Sequence, residues 1–225
     1  MSYSAIVLHS GGMDSSLCLL LAAQQYGKDS VLSLGFRYGQ RHEGELSAAA
    51  TIAAQYGIRR EVIDIAPLPG WESSSLISHT LPIKASHGCP NSVVLGRNGL
   101  FLMMATPLAH TLGAHTLVIG VMEQEGENSG YPDCNRPYID SVQKVIRLDL
   151  QDPSFSIMTP LIQMSKVETL ELADSLQALE FLLEHTVTCY NGVSRSGCQT
   201  CPSCRLRNDG IRAFYRNHPE KRPLW

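Results

Sequence analysis

Charged residues are scarce in this sequence, at 17% of 225 positions, and aromatic residues are scarcer still, at 7%. The net charge of −3 excludes a broadly basic nucleic-acid surface, though not a local basic groove. No apolar run approaches the roughly 18 residues that a membrane-spanning helix needs. The opening Met1-Ser2-Tyr3-Ser4 lacks the basic-then-apolar form of a signal peptide, so a cytoplasmic protein is expected. G-x-G-x-x-G is absent, which argues against a nicotinamide dinucleotide site. Internal repeats, low-complexity tracts and any sign of a nucleophilic triad are absent too. With 44% apolar residues the chain is globular and long enough to bury a substantial core.

What is present alternates between strand and helix. Ala5-Ile6-Val7-Leu8 reads as a buried strand, and Leu17 onward as a buried helix ending near Tyr26-Gly27. Val31–Phe36 is a second strand, followed by a helix from Glu43 to Tyr56 and a third strand over Glu61–Ile65. This order, with near-continuous apolar strands, predicts a Rossmann-like α/β fold, a parallel sheet with helices on both faces. Residues 66–97 break the pattern with prolines and three consecutive serines, and loops this long are usually functional. A helix over Asn98–Leu112, a strand over Thr116–Val121 and a helix from Pro137 to about Val145 follow. Ile157–Pro160 is a candidate last strand, and Ser165 with Glu168 forms a capping box. Residues 1–185 are expected to form the α/β domain, and residues 186–225 a segment packed on it.

Ser10-Gly11-Gly12-Met13-Asp14-Ser15-Ser16 lies between the first strand and the first helix. Two glycines and small hydroxyl residues there let N–H groups and the helix N-terminus close on a phosphate or pyrophosphate. The plainer alternative is a tight turn N-capped by Ser15 or Ser16. A Walker lysine is missing, so this is not the common kinase-like loop. Asp14 suits either a helix cap or a contact to magnesium.

Seven cysteines in an expected cytosolic chain read as thiols or metal ligands rather than disulfides. Cys198, Cys201 and Cys204 have C-x-x-C-x-x-C spacing, and Cys189 upstream completes a four-thiolate set. That is the closed shell of a structural zinc site, with redox thiols or an iron–sulfur centre as alternatives. Cys18 is most simply a buried helix residue, and His110 and His115 surface or core-edge residues.

Ser-Gly-Gly-x-Asp-Ser after a first strand resembles the pyrophosphate loop of the ATP pyrophosphatases. Phe36–His42, Gly96-Arg97-Asn98, Ser129–Cys134, Thr159-Pro160-Leu161 and Cys189–Gly192 follow in order, together with the cysteine tail. In combination they are similar to the 7-cyano-7-deazaguanine synthase family of the queuosine pathway, from Ile6 to about Ala213. The resemblance implies conversion of 7-carboxy-7-deazaguanine and ammonia to the nitrile, through two adenylations by ATP with Mg2+. It implies one structural Zn2+ on Cys189, Cys198, Cys201 and Cys204. It places ATP on His9 to Ser16 and on Leu17, Cys18 and Leu19, with Asp14, Ser15 and Arg97 catalytic. Arg41, Arg97, Asn98, Tyr131, Asp133 and Lys166 are the expected substrate contacts. Asp133 would take the guanine-like edge and Tyr131 would stack, while an exposed position is the plainer expectation for Lys166. A homodimer is expected, with no membrane and no stable nucleic-acid partner. Leu95 stands where the family usually has proline, and the loop over residues 123–128 is longer than usual. The competing readings are another adenylating ATP pyrophosphatase, such as an amidotransferase partner or a tRNA-thiolating enzyme, and a non-enzymatic zinc-ribbon module.

Overall fold

The computed structural model describes residues 2–84, 90–123 and 131–224. Five strands, β1 (Ala5–Leu8), β2 (Val31–Arg37), β3 (Arg59–Asp64), β4 (Thr116–Ile119) and β5 (Ser156–Met158), form one sheet in the order β3-β2-β1-β4-β5. All four pairings are parallel. The helices are α1 (Met13–Tyr26), α2 (Gly44–Gln55), α3 (Arg97–Leu112), α4 (Arg136–Leu150), α5 (Lys166–Ser175), α6 (Leu179–His185) and α7 (Pro202–Asn217).

Strand alternation divides the core in two. Ile6 and Leu8 of β1 pack with Leu102, Ala105, Ile139 and Ile146 of α3 and α4. Ala5 and Val7 face the other way, toward Leu17, Leu170, Leu182 and Phe214 of α1, α5, α6 and α7. Helices therefore cover both faces, as the sequence pattern predicts. The central strand β1 is flanked by β2 and β4, whose connections depart to opposite faces. That reversal opens a crevice at the carboxyl ends of the strands.

Several boundaries differ from the sequence expectation, each for a local reason. α1 starts at Met13 rather than Leu17, because the second half of the glycine loop is already helical. α4 continues past Val145 to Leu150, since Ile146 carries its buried face one turn further. β3 begins two residues early, at Arg59, where pairing with Leu32 outweighs the polarity of its side chains. β4 stops at Ile119 because Gly120 passes under α1. A side chain there would sit 2.9 Å from the Asp14 carbonyl carbon and the Ser15 nitrogen. The Ser165–Glu168 capping box forms as expected.

Residues 66–84 and 90–96 are irregular apart from one 3-10 turn over Trp71–Ser73. They are nevertheless anchored, with Trp71, Ile77 and Val94 buried in the α3–α4 core.

Candidate active site

The crevice widens into a cavity of about 410 Å3. His9, Ser10, Asp14 and Ser15 form its floor, and Tyr38, Arg41, His42 and Glu45 one wall. Arg97, Asn98 and Phe101 of α3 adjoin Tyr38, and Tyr131, Cys134, Lys166 and Tyr190 complete the lining.

The loop geometry explains its glycines. Gly11 has φ +98°, and a Cβ there would collide with the Glu45 carbonyl oxygen of α2. Gly12, not a serine, is the N-cap of α1, and no side chain caps it. Ser15 and Ser16 instead donate back to the Gly12 carbonyl, at 3.2 and 2.7 Å. Ser15 Oγ also lies 3.0 Å from Ser10 Oγ. The capping alternative for these serines, and for Asp14 in the second position of the helix, is thereby set aside. The first-turn N–H groups of α1 have no intrahelical partners and face the site with the positive end of the helix dipole.

Beneath the loop, His9 is 1% exposed and hydrogen-bonded on both ring nitrogens. Because Ser16 donates its hydroxyl proton to Gly12, it accepts from His9 Nε2–H at 3.0 Å. Nδ1 therefore accepts from Ser33 Oγ at 2.9 Å, and Ser33 accepts from Arg60 Nη1 at 2.9 Å. Arg60 also donates to the His9 carbonyl at 3.2 Å. Burial, reinforced by the Arg60 charge, pushes His9 down to about 3, so it is neutral at working pH. Its imidazole braces the loop from behind through Ser16 and Ser33. Leu17, Cys18 and Leu19 are fully buried in the α1 core and line no part of the cavity. The helix periodicity points their side chains inward, away from the cavity. Met13 and Ser16 are buried as well.

Asp14 is gripped by Lys166, whose Nζ is 2.7 Å from both carboxylate oxygens. The two side chains are 26% and 12% exposed, so Lys166 is not a surface lysine. Its position is set by α7, which packs on α5 at Gly210, where a Cβ would lie 2.6 Å from Lys166 Cβ. The segment before the cysteines reaches the loop too, through Val187 N–H donating to the Gly11 carbonyl at 3.0 Å.

Arg97 opens α3 after Gly96, a left-handed N-cap. Burial works against its charge, but Tyr38, at 3.3 Å, and Asp133 hold it firmly protonated. Asp133 does not line the cavity. It is buried and accepts the Asn98 backbone N–H at 3.2 Å, capping a helix that lacks its own side-chain cap. Its carboxylate thus supports the start of α3. Asn98 lines the cavity and donates to Cys134 Sγ at 3.5 Å. Tyr131 is pinned by its hydroxyl, 2.5 Å from Ser92 Oγ and 3.1 Å from Tyr190 OH. Arg41 ties residues 66–84 to the wall by donating to the Leu81 carbonyl at 3.1 Å.

Four contributors escaped the sequence reading: Glu45, Ser33, Arg60 and Tyr190. An acid in a first helical turn and a serine inside a strand carry no signal by themselves, and Arg60 sits on an edge strand. Tyr190 lies beside Cys189, which drew the attention to metal binding.

Cys134 is the one cysteine lining the cavity among the described residues. Burial and the neighbouring Asp133 push its thiol up to about 12, which leaves it protonated and a poor nucleophile. Cys89 and the stretch 124–130 lie outside the described residues.

Behind Tyr190, the Sγ atoms of Cys189, Cys198, Cys201 and Cys204 all lie within 4.8 Å of one another. Sulfurs about 2.3 Å from a tetrahedral zinc are about 3.8 Å apart, so the set fits with little movement. Backbone N–H groups already point at the sulfurs, from Asn191 and Cys198 to Cys189, from Cys201 to Cys198 and from Cys204 to Cys201. Such donors favour thiolates, and Arg207, 4% exposed, adds positive charge beside them. These four cysteines could hold a metal, with no open position for chemistry.

A family model for queuosine biosynthesis protein QueC matches residues 4–215. The chain belongs to this family. It is an ATP-using, ligase-type enzyme of queuosine biosynthesis. Among solved structures, an NMN synthetase from Francisella tularensis shares 13% identity at a TM-score of 0.52, over 100% of this chain and 89% of that one. A predicted subunit of tRNA methyltransferase from Methanocaldococcus jannaschii shares 19% at 0.50, over 76% and 74%. A U34-tRNA thiolase, NcsA, from Methanococcus maripaludis shares 16% at 0.49, over 97% and 67%. At these identities the first two support the fold and nothing finer.

Proposed function

We propose that the chain converts 7-carboxy-7-deazaguanine and ammonia to 7-cyano-7-deazaguanine at the expense of ATP. The observation that carries this reading is one cavity shared by the glycine loop and Arg97. ATP lies with its leaving pyrophosphate on Ser10, Ser15 and the N-terminus of α1. Arg97 anchors the substrate carboxylate, and Tyr131 and Phe101 flank the ring. A carboxylate is a poor acyl donor because oxide would have to leave, so adenylation converts that oxygen into AMP. Ammonia then forms the amide, and a second adenylation on the amide oxygen permits dehydration to the nitrile.

Lys166, held by Asp14, sits where charge develops on the phosphates. Asp14 is the residue that would contact Mg2+, which would neutralise the phosphates when bound with ATP. The four cysteines would hold Zn2+ as a staple. A homodimer and a cytoplasmic location rest on the family resemblance, and no helix of the described residues is long and apolar enough to cross a membrane. Thiolation is disfavoured by the protonated Cys134.

The test is ATP with 7-carboxy-7-deazaguanine and ammonium, followed by mass spectrometry and a pyrophosphate assay. Nitrile and pyrophosphate should both appear. Pyrophosphate without nitrile would leave a different adenylated acid as the product.

A further inference from the structure

Among the described residues, three carboxyl groups stand at or just behind the cavity, and two of them are engaged. Asp14 holds Lys166, and Asp133 holds the Asn98 N–H. The third, Glu45, lines the cavity from the first turn of α2 and makes no hydrogen bond to a described residue. Its backbone is fixed, because the Glu45 carbonyl oxygen occupies the space a side chain on Gly11 would need. It interacts electrostatically with Arg97 and with Tyr38. A cavity-wall carboxylate that accepts no hydrogen bond from a described residue is available to a ligand that carries N–H groups.

The position narrows that ligand. Glu45 shares the cavity with the pyrophosphate loop, against which its backbone packs, and with Arg97, which in the reading above holds the substrate carboxylate. The acid is therefore at the reacting carbon and not at the far N–H edge of the ring. We propose that Glu45 is the proton acceptor for the ammonia that attacks the adenylated carboxyl carbon, an inference that rests on the nitrile-forming reading. Ammonium enters as the counter-ion of the Glu45 carboxylate and gives it a proton. The freed nitrogen lone pair forms the C–N bond, the C–O bond to AMP breaks, and AMP leaves with that electron pair. The surplus proton on the new amide nitrogen passes to solvent, and Glu45 then releases its own. Burial, opposed by Arg97, pushes Glu45 up to about 7, close to where a general base works best. The other charged or titratable groups lining the same cavity are His9 and Asp14 at the glycine loop, Lys166 of α5, Tyr38, Arg41 and His42 on the β2–α2 side, and Tyr131, Cys134 and Tyr190.

The test separates adenylation from amination in the Glu45→Gln enzyme. Substrate-dependent exchange of pyrophosphate into ATP needs no ammonia and should stay within about twofold of the unaltered enzyme. Amide formation from ammonium should fall by about 10²-fold or more, and the rising limb of its pH profile should disappear. Hydroxylamine is neutral near pH 7 and needs no proton acceptor, so hydroxamate formation should be retained. Loss of exchange and of hydroxamate together would make Glu45 a substrate anchor and overturn the proposal, as would full activity with ammonium. Absence of exchange in the unaltered enzyme would instead overturn the nitrile-forming reading itself.

Discussion

Asp14 and Lys166 form an enclosed ion pair inside the site, so neither can be altered without disturbing the other. Replacing Asp14 with Ala should reduce pyrophosphate release by about 10²-fold or more. It should also lower stability, by about 3 kcal/mol, because it removes one partner of a largely desolvated pair. The measurements are a pyrophosphate assay beside a urea titration; unchanged turnover would remove the loop from the reaction. Cys134 gives the opposite expectation. Its thiol is held protonated, so Cys134→Ser should keep most of the nitrile-forming rate, and a rate lost completely would revive thiol chemistry. His9 adds a pH dependence whose sign is fixed by its neutral state. Its folded pKa, about 3, lies below the ordinary 6.5, so its contribution to stability is complete above pH 6.5 and is lost as pH falls toward 3. Within that window the slope is up to about 1.4 kcal/mol per pH unit. Urea unfolding of the His9→Gln protein, compared with the unaltered one at pH 7.5 and pH 5, should show a flatter acid limb.

At the scale of elements, the decisive contacts are close backbone approaches. The first turn of α1 crosses the end of β4 at Gly120, and α7 crosses α5 at Gly210. Gly120→Val would push on the Asp14 and Ser15 backbone, which cannot yield without moving the pyrophosphate loop. The expected result is loss of pyrophosphate exchange with a fold still visible by circular dichroism. The same contacts explain what the sequence pattern made legible and what it hid. Ala5–Leu8, Val31–Phe36 and the helices α2 and α3 were readable because apolar runs and glycine stops act locally. The true extent of α4 was hidden because its last turn is held by Ile146 against a distant core. The capping of α3 by Asp133 was hidden because its partner, the Asn98 N–H, is 35 residues away in the chain.

For the molecule as a whole, the cysteine segment is part of the site wall. Val187 bonds the loop, Tyr190 meets Tyr131, and α7 supports the lysine that grips Asp14. Metal removal should therefore reach the chemistry. A chelator, or Cys201→Ser, should strip the metal by elemental analysis and lower the melting temperature. It should also weaken ATP turnover before global unfolding. Loss of metal with turnover intact would confine the cluster to the tail.

The sequence by itself determined the alternation of strand and helix, the phosphate loop and the four-cysteine set, because each is written in neighbouring residues. Only the tertiary structure decided which side chains meet in the cavity. It paired Lys166 with Asp14 across 152 positions, turned His9 inward to Ser33 and Ser16, and set Glu45 on the cavity wall with no hydrogen bond to a described residue. The physical reason is that desolvation and pairing depend on what the fold brings alongside a residue. No local pattern carries that information.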